Sequence, residues 1–294
     1  MKPKSYYSSL LELNLAILFI STSGVLGKYI DLPVPSIICI RSILACIILF
    51  IYCKLKGFSF KIPIKDRKTI LLGGVFLGAH WMTYFYALKL SNVAIGMLSL
   101  YTFPAITAIL EPLLTKSKFQ GIHIILGSLV LVGVYFLIPE FDFSSTYFKA
   151  ICFGVMSAIF YALRNIMMKP KVKHYNQSVL MFNQLGAITI CLFPTLWMIS
   201  GSEFIEFMPA IGLLAILTTA IGHTLFIQSL KYFSTTSASL MSSMQPVYGI
   251  ILAVIFLNEY PSLMTIFGGL IIISTVVVES LRVKKTKSMT PKNG

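Results

Sequence analysis

The chain has 294 residues, of which 56% are hydrophobic and only 12% charged, with a mean hydropathy of +0.85. A soluble domain carries about 25% charged residues, so a soluble enzyme or binding module is excluded. The net charge of +14 does not point to nucleic acid, because the basic residues gather in short loops on one side of the predicted spans, as cytoplasmic retention requires.

The apolar pattern predicts ten helical spans at about 9–29, 35–53, 69–90, 92–115, 120–138, 147–169, 178–199, 209–231, 235–257 and 262–281. With the N-terminus placed inside, only Lys28, Lys89 and Lys149 among the basic residues fall on the outer side; Arg41 and Arg164 lie within spans, and the rest fall inside. Both termini are therefore read as cytoplasmic, and the helical spans point to an inner membrane. The first span is not followed by a small-residue cleavage site, and it is read as a structural helix. It runs into the second span, where Cys39, Cys46 and Cys53 recur every seven residues on one face. With Cys152 and Cys191 they are read as small apolar filler, with neither a disulfide framework nor a metal site. The basic stretch 54–68 is expected at the lipid headgroups.

Landmarks recur at one spacing. Moving 142 positions carries Leu88-Lys89 to Leu230-Lys231, Leu98 to Leu240, Pro104 to Pro246 and Gly127 to Gly269. The chain thus reads as two halves of five spans, 9–138 and 147–281, joined by an outer loop from Pro139 to Ser145 and followed by a basic cytoplasmic tail, 282–294. An odd number of spans per half makes the second half enter the membrane from the opposite side. The expected fold is an all-α integral membrane protein, ten transmembrane helices as two inverted five-helix repeats, with a substrate site between the halves near the midplane.

The stretch Ala87-Leu88-Lys89-Leu90-Ser91-Asn92-Val93-Ala94-Ile95-Gly96 ending in Pro104, and its partner Ser229-Leu230-Lys231-Tyr232 ending in Pro246, carry a resemblance. So do Gln245-Pro246-Val247 with Glu259 thirteen residues after the proline, and Tyr101-Thr102-Phe103-Pro104 through Glu111-Pro112-Leu113. Over residues 12–281 the chain resembles the drug/metabolite transporter superfamily, in particular its EamA-type members with two five-helix repeats. The resemblance implies export or uptake of small metabolites, often amino acids or related compounds, and does not fix the substrate.

Candidate cavity residues follow from polar or bend-forming groups at mid-span. Pro104 and Pro246 each remove a backbone donor and are expected to kink their helices near the midplane; they serve either a ligand site or packing. Tyr101 and Glu111 share a stripe with Pro104, and Ser243 and Gln245 surround Pro246. Glu111 either carries a proton, attracts a cation, or pairs with Lys116 or Arg164. Arg41 is a charge within a span and needs a reason; it binds a carboxylate through its fork or snorkels to the outer interface. The repeat offset sets Asn183 opposite it, with Gln184 beside Asn183. His80 and His223 lie at similar depth, and Trp81 is the formal match to His223. The histidines suggest proton coupling, ligand binding, or contacts to neighbouring carbonyls. Trp81, Tyr84 and Tyr161 either stack on a flat substrate or fill the core. Glu12, His123, Glu279 and Arg164 are read as ion pairs at the interface, and Glu259 as a contact at a helix terminus. Gly74 and Gly78 let backbones approach closely; so do Gly121, Gly127, Gly133, Gly268 and Gly269.

No phosphate-binding glycine loop with its lysine occurs, nor HExxH, nor a nucleophile elbow. ATP does not drive the protein directly, and no cofactor is expected. The expected partners are a small-molecule substrate, membrane lipids and, as a coupling ion, protons; a homodimer is compatible with the pattern. The leading reading is a secondary transporter exporting an amino acid or related compound by alternating access. A proton-coupled uptake carrier stands second. An intramembrane enzyme and a channel are the remaining classes; the sequence has neither nucleophile spacing nor a ring of pore charges.

Overall fold

The structure is a computed structural model and describes residues 6–136 and 146–289. The expected linker 139–145 and the last five residues of the expected tail lie outside the described residues. Among those described, every regular element is helical.

The first half comprises α1 (Tyr6–Tyr29), α2 (Val34–Leu55), α3 (Ile64–Leu90), α4 (Val93–Leu100), α5 (Phe103–Thr115) and α6 (Gly121–Tyr135). The second half begins with α7 (Thr146–Lys171) and α8 (Gln177–Leu192), which runs on as a 3-10 helix to Met198. Next come α9 (Gly201–Leu213), a π-helical segment (Leu214–His223) and α10 (Thr224–Ser229), continuous with one another. The chain closes with α11 (Thr235–Met241), a 3-10 turn (Ser242–Met244), α12 (Gln245–Leu257) and α13 (Leu263–Met289). Eight stretches, several of them composites of these helices, are long and apolar enough to cross a membrane; Gly121–Gly133 and Ile266–Glu279 are shorter apolar helices. The last helix continues to Met289, well past the expected boundary at 281, and α3 starts at Ile64, so the basic loop shrinks to residues 56–63.

The prolines do more than kink. The fourth expected span is two helices, α4 and α5, separated at Tyr101 and Thr102, and Pro104 sits in the first turn of α5. Likewise the 3-10 turn separates α11 from α12, and Pro246 sits in the first turn of α12. A helix start has no partner for its first N–H groups anyway, so proline costs nothing there. The breaks match at the repeat spacing: α4 and α11 start at Val93 and Thr235, and α5 and α12 end at Thr115 and Leu257. Each of these second helices is followed by a residue in the left-handed region, Lys116 (φ 54°) and Asn258 (φ 55°), again 142 apart.

Packing repeats the same pattern. The π segment and α10 pack on α1, as α3 packs on α7; α12 packs on α1, as α4 and α5 pack on α7. α3 packs on α8 as the π segment packs on α2, and equivalent helices meet directly, α2 with α8 and α6 with α13. Leu55, Ile64, Ile190, Trp197 and Leu263 are exposed, whereas Arg41, Arg164, Gln184, Thr218 and Thr219 have no accessible surface. Apolar side chains outside and polar ones inside suit a bundle whose solvent is lipid.

At one end of the bundle the Lys171 ammonium meets Asp66 at 2.7 Å. Tyr175, in the connection after α7, donates to the same carboxylate at 2.5 Å, and this bond holds its phenol above the usual range. At the α6–α13 pair the buried Glu279 accepts from Arg282 at 2.8 Å, lies 3.4 Å from the ring of His123, and accepts from Ser237 at 2.6 Å. The ion-pair reading of Glu279 and His123 fits this cluster.

Candidate functional site

Residues from α1, α2, α3, α4, α7, the π segment and α12 converge on one internal cavity. Ser23, Arg41, His80, Trp81, Tyr84, Tyr101, Tyr161, His223 and Gln245 line it with Ile20 and Leu100, around about 10 Å³ of free space. That is room for roughly one water molecule, so any larger ligand must part these walls.

Arg41 does not snorkel. It points inward, and its guanidinium carbon lies 3.9 Å from the centroid of the Trp81 ring. Nε and Nη2 donate to Thr219 Oγ1 at 3.1 and 2.7 Å, and Nη2 also to Thr218 Oγ1 at 3.0 Å. Nη1 has no partner. The threonines can take these bonds because the π turn widens the helix here: both hydroxyls donate back to Leu214 O, at 2.5 and 3.1 Å. All these partners are neutral, and every carboxylate among the described residues is engaged elsewhere or exposed.

The histidines are held by side chains. Trp81 Nε1–H donates to His223 Nε2 at 3.2 Å. The proton of that neutral ring is then on Nδ1, which has no partner. Ser157 Oγ donates to His80 O at 2.8 Å and lies 2.7 Å from His80 Nδ1. Its single proton is used on the carbonyl, so His80 Nδ1–H donates to the hydroxyl. The His80 ring stacks on Tyr161 with centroids 4.3 Å apart. Tyr101 donates to Gln245 Oε1 at 2.7 Å, joining the two chain breaks. Ser243 is buried there with an unpartnered hydroxyl.

Three expectations change. Asn183 does not face Arg41; it is half-buried and donates to Val179 O of its own helix at 2.8 Å. Gln184 joins Arg164 instead, accepting from Nε at 2.8 Å, because Gly74 lets α3 approach its backbone and pin it (an added Cβ at Gly74 would lie 2.7 Å from Gln184 O). Arg164 itself is fully buried and pairs with no carboxylate, so it is not an interfacial ion pair.

Glu111 lies outside the cavity. It accepts from the backbone N–H groups of Thr235 and Thr236 at 2.9 and 2.7 Å, capping the start of α11, and from the Thr236 hydroxyl at 2.5 Å. A carboxylate suits a helix N-terminus. Glu259 does the same for α4, accepting from Val93 N–H at 3.0 Å. Two lysines make a matching pair of contacts, each within its own half. Lys28, at the end of α1, donates to Leu88 O at 3.2 Å and Ser91 O at 2.5 Å. Lys169, near the end of α7, donates to Leu230 O at 2.5 Å and to Phe233 O. Leu88 and Ser91 lie 142 residues before Leu230 and Phe233.

The sequence reading missed Thr218, Thr219, Ser157 and the buried role of Arg164. Adjacent threonines inside an apolar run, and a second arginine in a span, were the available signals.

The model of the EamA-like transporter family matches residues 9–138 and 148–281. The chain belongs to the EamA-like transporter family. It is 20% identical over 95% of its length to the uncharacterized transporter YxxF of Bacillus subtilis (strain 168), covering 91% of that protein. It is 21% identical to the pseudopaline exporter CntI of Pseudomonas aeruginosa (strain UCBPP-PA14), over 86% of this chain and 88% of that one. A solved crystal structure 20% identical in sequence shares the fold, with a TM-score of 0.75 over 96% of this chain and 99% of the other. The EamA-like protein is thus a multi-pass membrane transporter.

Proposed function

We propose that the protein is a secondary carrier that exports a small metabolite bearing a carboxylate, an amino acid or a related compound, by alternating access. The observation that carries this reading is Arg41: fully buried, held by hydroxyls and by the ring faces of Trp81 and Phe85, with Nη1 unpartnered. A buried charge without a counter-ion is costly, and a substrate carboxylate offsets that cost by taking the free edge of the fork. Trp81, Tyr84, Tyr101 and Tyr161 enclose the rest of the ligand, and His80, His223, Ser243, Gln245 and Gln184 supply polar contacts as the walls part.

The ten-span, inverted-repeat arrangement belongs to the same proposal, with repeats at 9–138 and 147–281, the basic tail from 282 and both ends in the cytoplasm of a cell with an inner membrane. The recurrence of breaks, caps and lysine clamps at one spacing supports it. In that arrangement the Lys28 and Lys169 clamps close opposite faces of the bundle. The histidines stay neutral: protonating His223 would replace the acceptor facing the Trp81 N–H with a second donor. Coupling to protons through these rings is therefore disfavoured against simple exchange or facilitated export.

Counterflow of a panel of carboxylate-bearing metabolites and their amides into proteoliposomes tests the reading. Carboxylates should exchange and amides should not, and Arg41→Gln should abolish exchange with the protein still folded in the membrane. Equal exchange by the wild type and Arg41→Gln would remove the reading.

A further inference from the structure

Arg41 leaves a second buried guanidinium unexplained. Arg164, on α7, has no accessible surface. Its Nε donates to Gln184 Oε1 at 2.8 Å, its Nη1 to Asn165 Oδ1 at 2.9 Å, and its Nη2 reaches the Met181 thioether sulfur at 3.5 Å. Both amide oxygens face the guanidinium, so the amide orientations are fixed and the nitrogens turn away as donors. Neither Asn165 Nδ2 nor Gln184 Nε2 has a partner, although both residues are buried. The cluster therefore holds a positive charge, an N–H met only by soft sulfur, and two orphaned NH₂ groups. Acceptors are what it lacks, and no described carboxylate supplies one. Tyr161, one helical turn before Asn165, lines the same cavity as Arg41, so this cluster abuts the space where the first carboxylate binds.

We infer that Arg164, Asn165 and Gln184 form a second anion site, and that the substrate carries two acidic groups, one for each arginine. Unsatisfied buried donors are costly, and a buried charge without its partner costs more; one oxygen-rich anion relieves all three donors together. A free chloride ion has the same chemistry and is the competing source. The inference rests on the proposed carboxylate reading of the cavity.

The test uses the purified full chain in detergent and follows thermal unfolding with glutarate, with valerate as its one-acid counterpart, and with sodium chloride against sodium gluconate. The expected result is stabilisation by glutarate at concentrations at least about tenfold lower than valerate, the scale of one added charge-assisted contact. Arg164→Gln should erase that advantage. Since that variant can fail to fold, Gln184→Glu provides a second route: it places a carboxylate on Arg164 from within, and should both erase the advantage and raise the unfolding temperature of the ligand-free protein. Equal responses to glutarate and valerate in the wild type, with Arg41→Gln weakening both, overturn the inference and leave the carboxylate reading intact. Stabilisation by chloride that Gln184→Glu removes, with no preference for glutarate, assigns the site to a free ion and overturns the two-acid substrate. No response to either organic acid, with Arg41→Gln exchanging like the wild type, defeats the carboxylate reading and this inference with it.

Discussion

Trp81 donates its indole N–H to His223, the residue 142 positions later in the chain. The two occupy equivalent places in the two halves, and their bond joins the halves at the cavity wall. The same indole is the platform under Arg41. One side chain thus orients the arginine and fixes the tautomer of the histidine.

Trp81→Phe should keep the stacking surface and lose the donor. His223 Nε2 is then a buried acceptor without a partner, at a cost of about 1–3 kcal/mol. The expected outcome is a lower unfolding temperature together with weaker substrate binding. A double-mutant cycle with His223→Phe should show that the two effects do not add.

Transport should be indifferent to an imposed proton gradient. The tautomers described for His80 and His223 use each ring nitrogen that faces a neighbour in its neutral form. Counterflow measured with the inside acidified, and again with the outside acidified, should give the same rate. A rate that follows the gradient and loses that dependence in His223→Gln would assign the ring a proton-carrying role.

The lysine clamps should act in opposite directions. Lys28→Met removes the donor to Leu88 O and Ser91 O, and Lys169→Met the donor to Leu230 O and Phe233 O. Each loss should favour opening of its own face. A single cysteine at the cavity wall, Ser23→Cys in a cysteine-free background, reports this through membrane-impermeant reagents added to one side or the other. Lys28→Met should raise labelling from one side, and Lys169→Met from the other. The same change of side in both variants would count against clamps on opposing faces.

Gly74→Val should be damaging out of proportion to its size. The first added carbon lies within 3 Å of both the carbonyl oxygen and the Cα of Gln184. Backbone cannot swing aside as a flexible side chain can, so α3 and α8 must separate. Overpacking of this kind costs about 1–3 kcal/mol. Because Gln184 then leaves Arg164, a loss of the glutarate preference should accompany the loss of stability. Gly201, which has nothing within 4 Å of its own added Cβ, should accept Ala without effect and serves as the control.

Much of this was legible in the chain. Hydropathy alone marks the apolar helices, because lipid demands long uninterrupted runs. The 142-residue spacing could be read from Pro104 and Pro246 because proline acts through the backbone and its consequences are local. Arg41, His80, Tyr101, His223 and Gln245 stand out for a similar reason, since polar groups in such runs need partners, and they line one cavity with Trp81, which the sequence leaves as a stacking surface or core. The partners themselves were not legible. Asn183 and Gln184 are neighbours in sequence, yet one serves its own helix and the other a buried arginine, and only the rotation of α8 against α3 decides which. The sequence leaves Glu111 between a proton carrier, a cation site and a pair with Lys116 or Arg164, because the N-terminus it caps lies more than a hundred residues away. The π turn has no sequence signature of its own, so nothing singled out Thr218 and Thr219 as partners of Arg41.

That π turn also breaks an equality. A duplicated scaffold with matching breaks and caps would give two end states of nearly the same free energy. Among the described residues the wide turn lies only in the second half, between α9 and α10, whereas its counterpart α3 is regular throughout. In the proposed alternating-access cycle the empty protein should consequently rest with a bias toward one side of the bilayer, a directionality written into the backbone before any solute arrives.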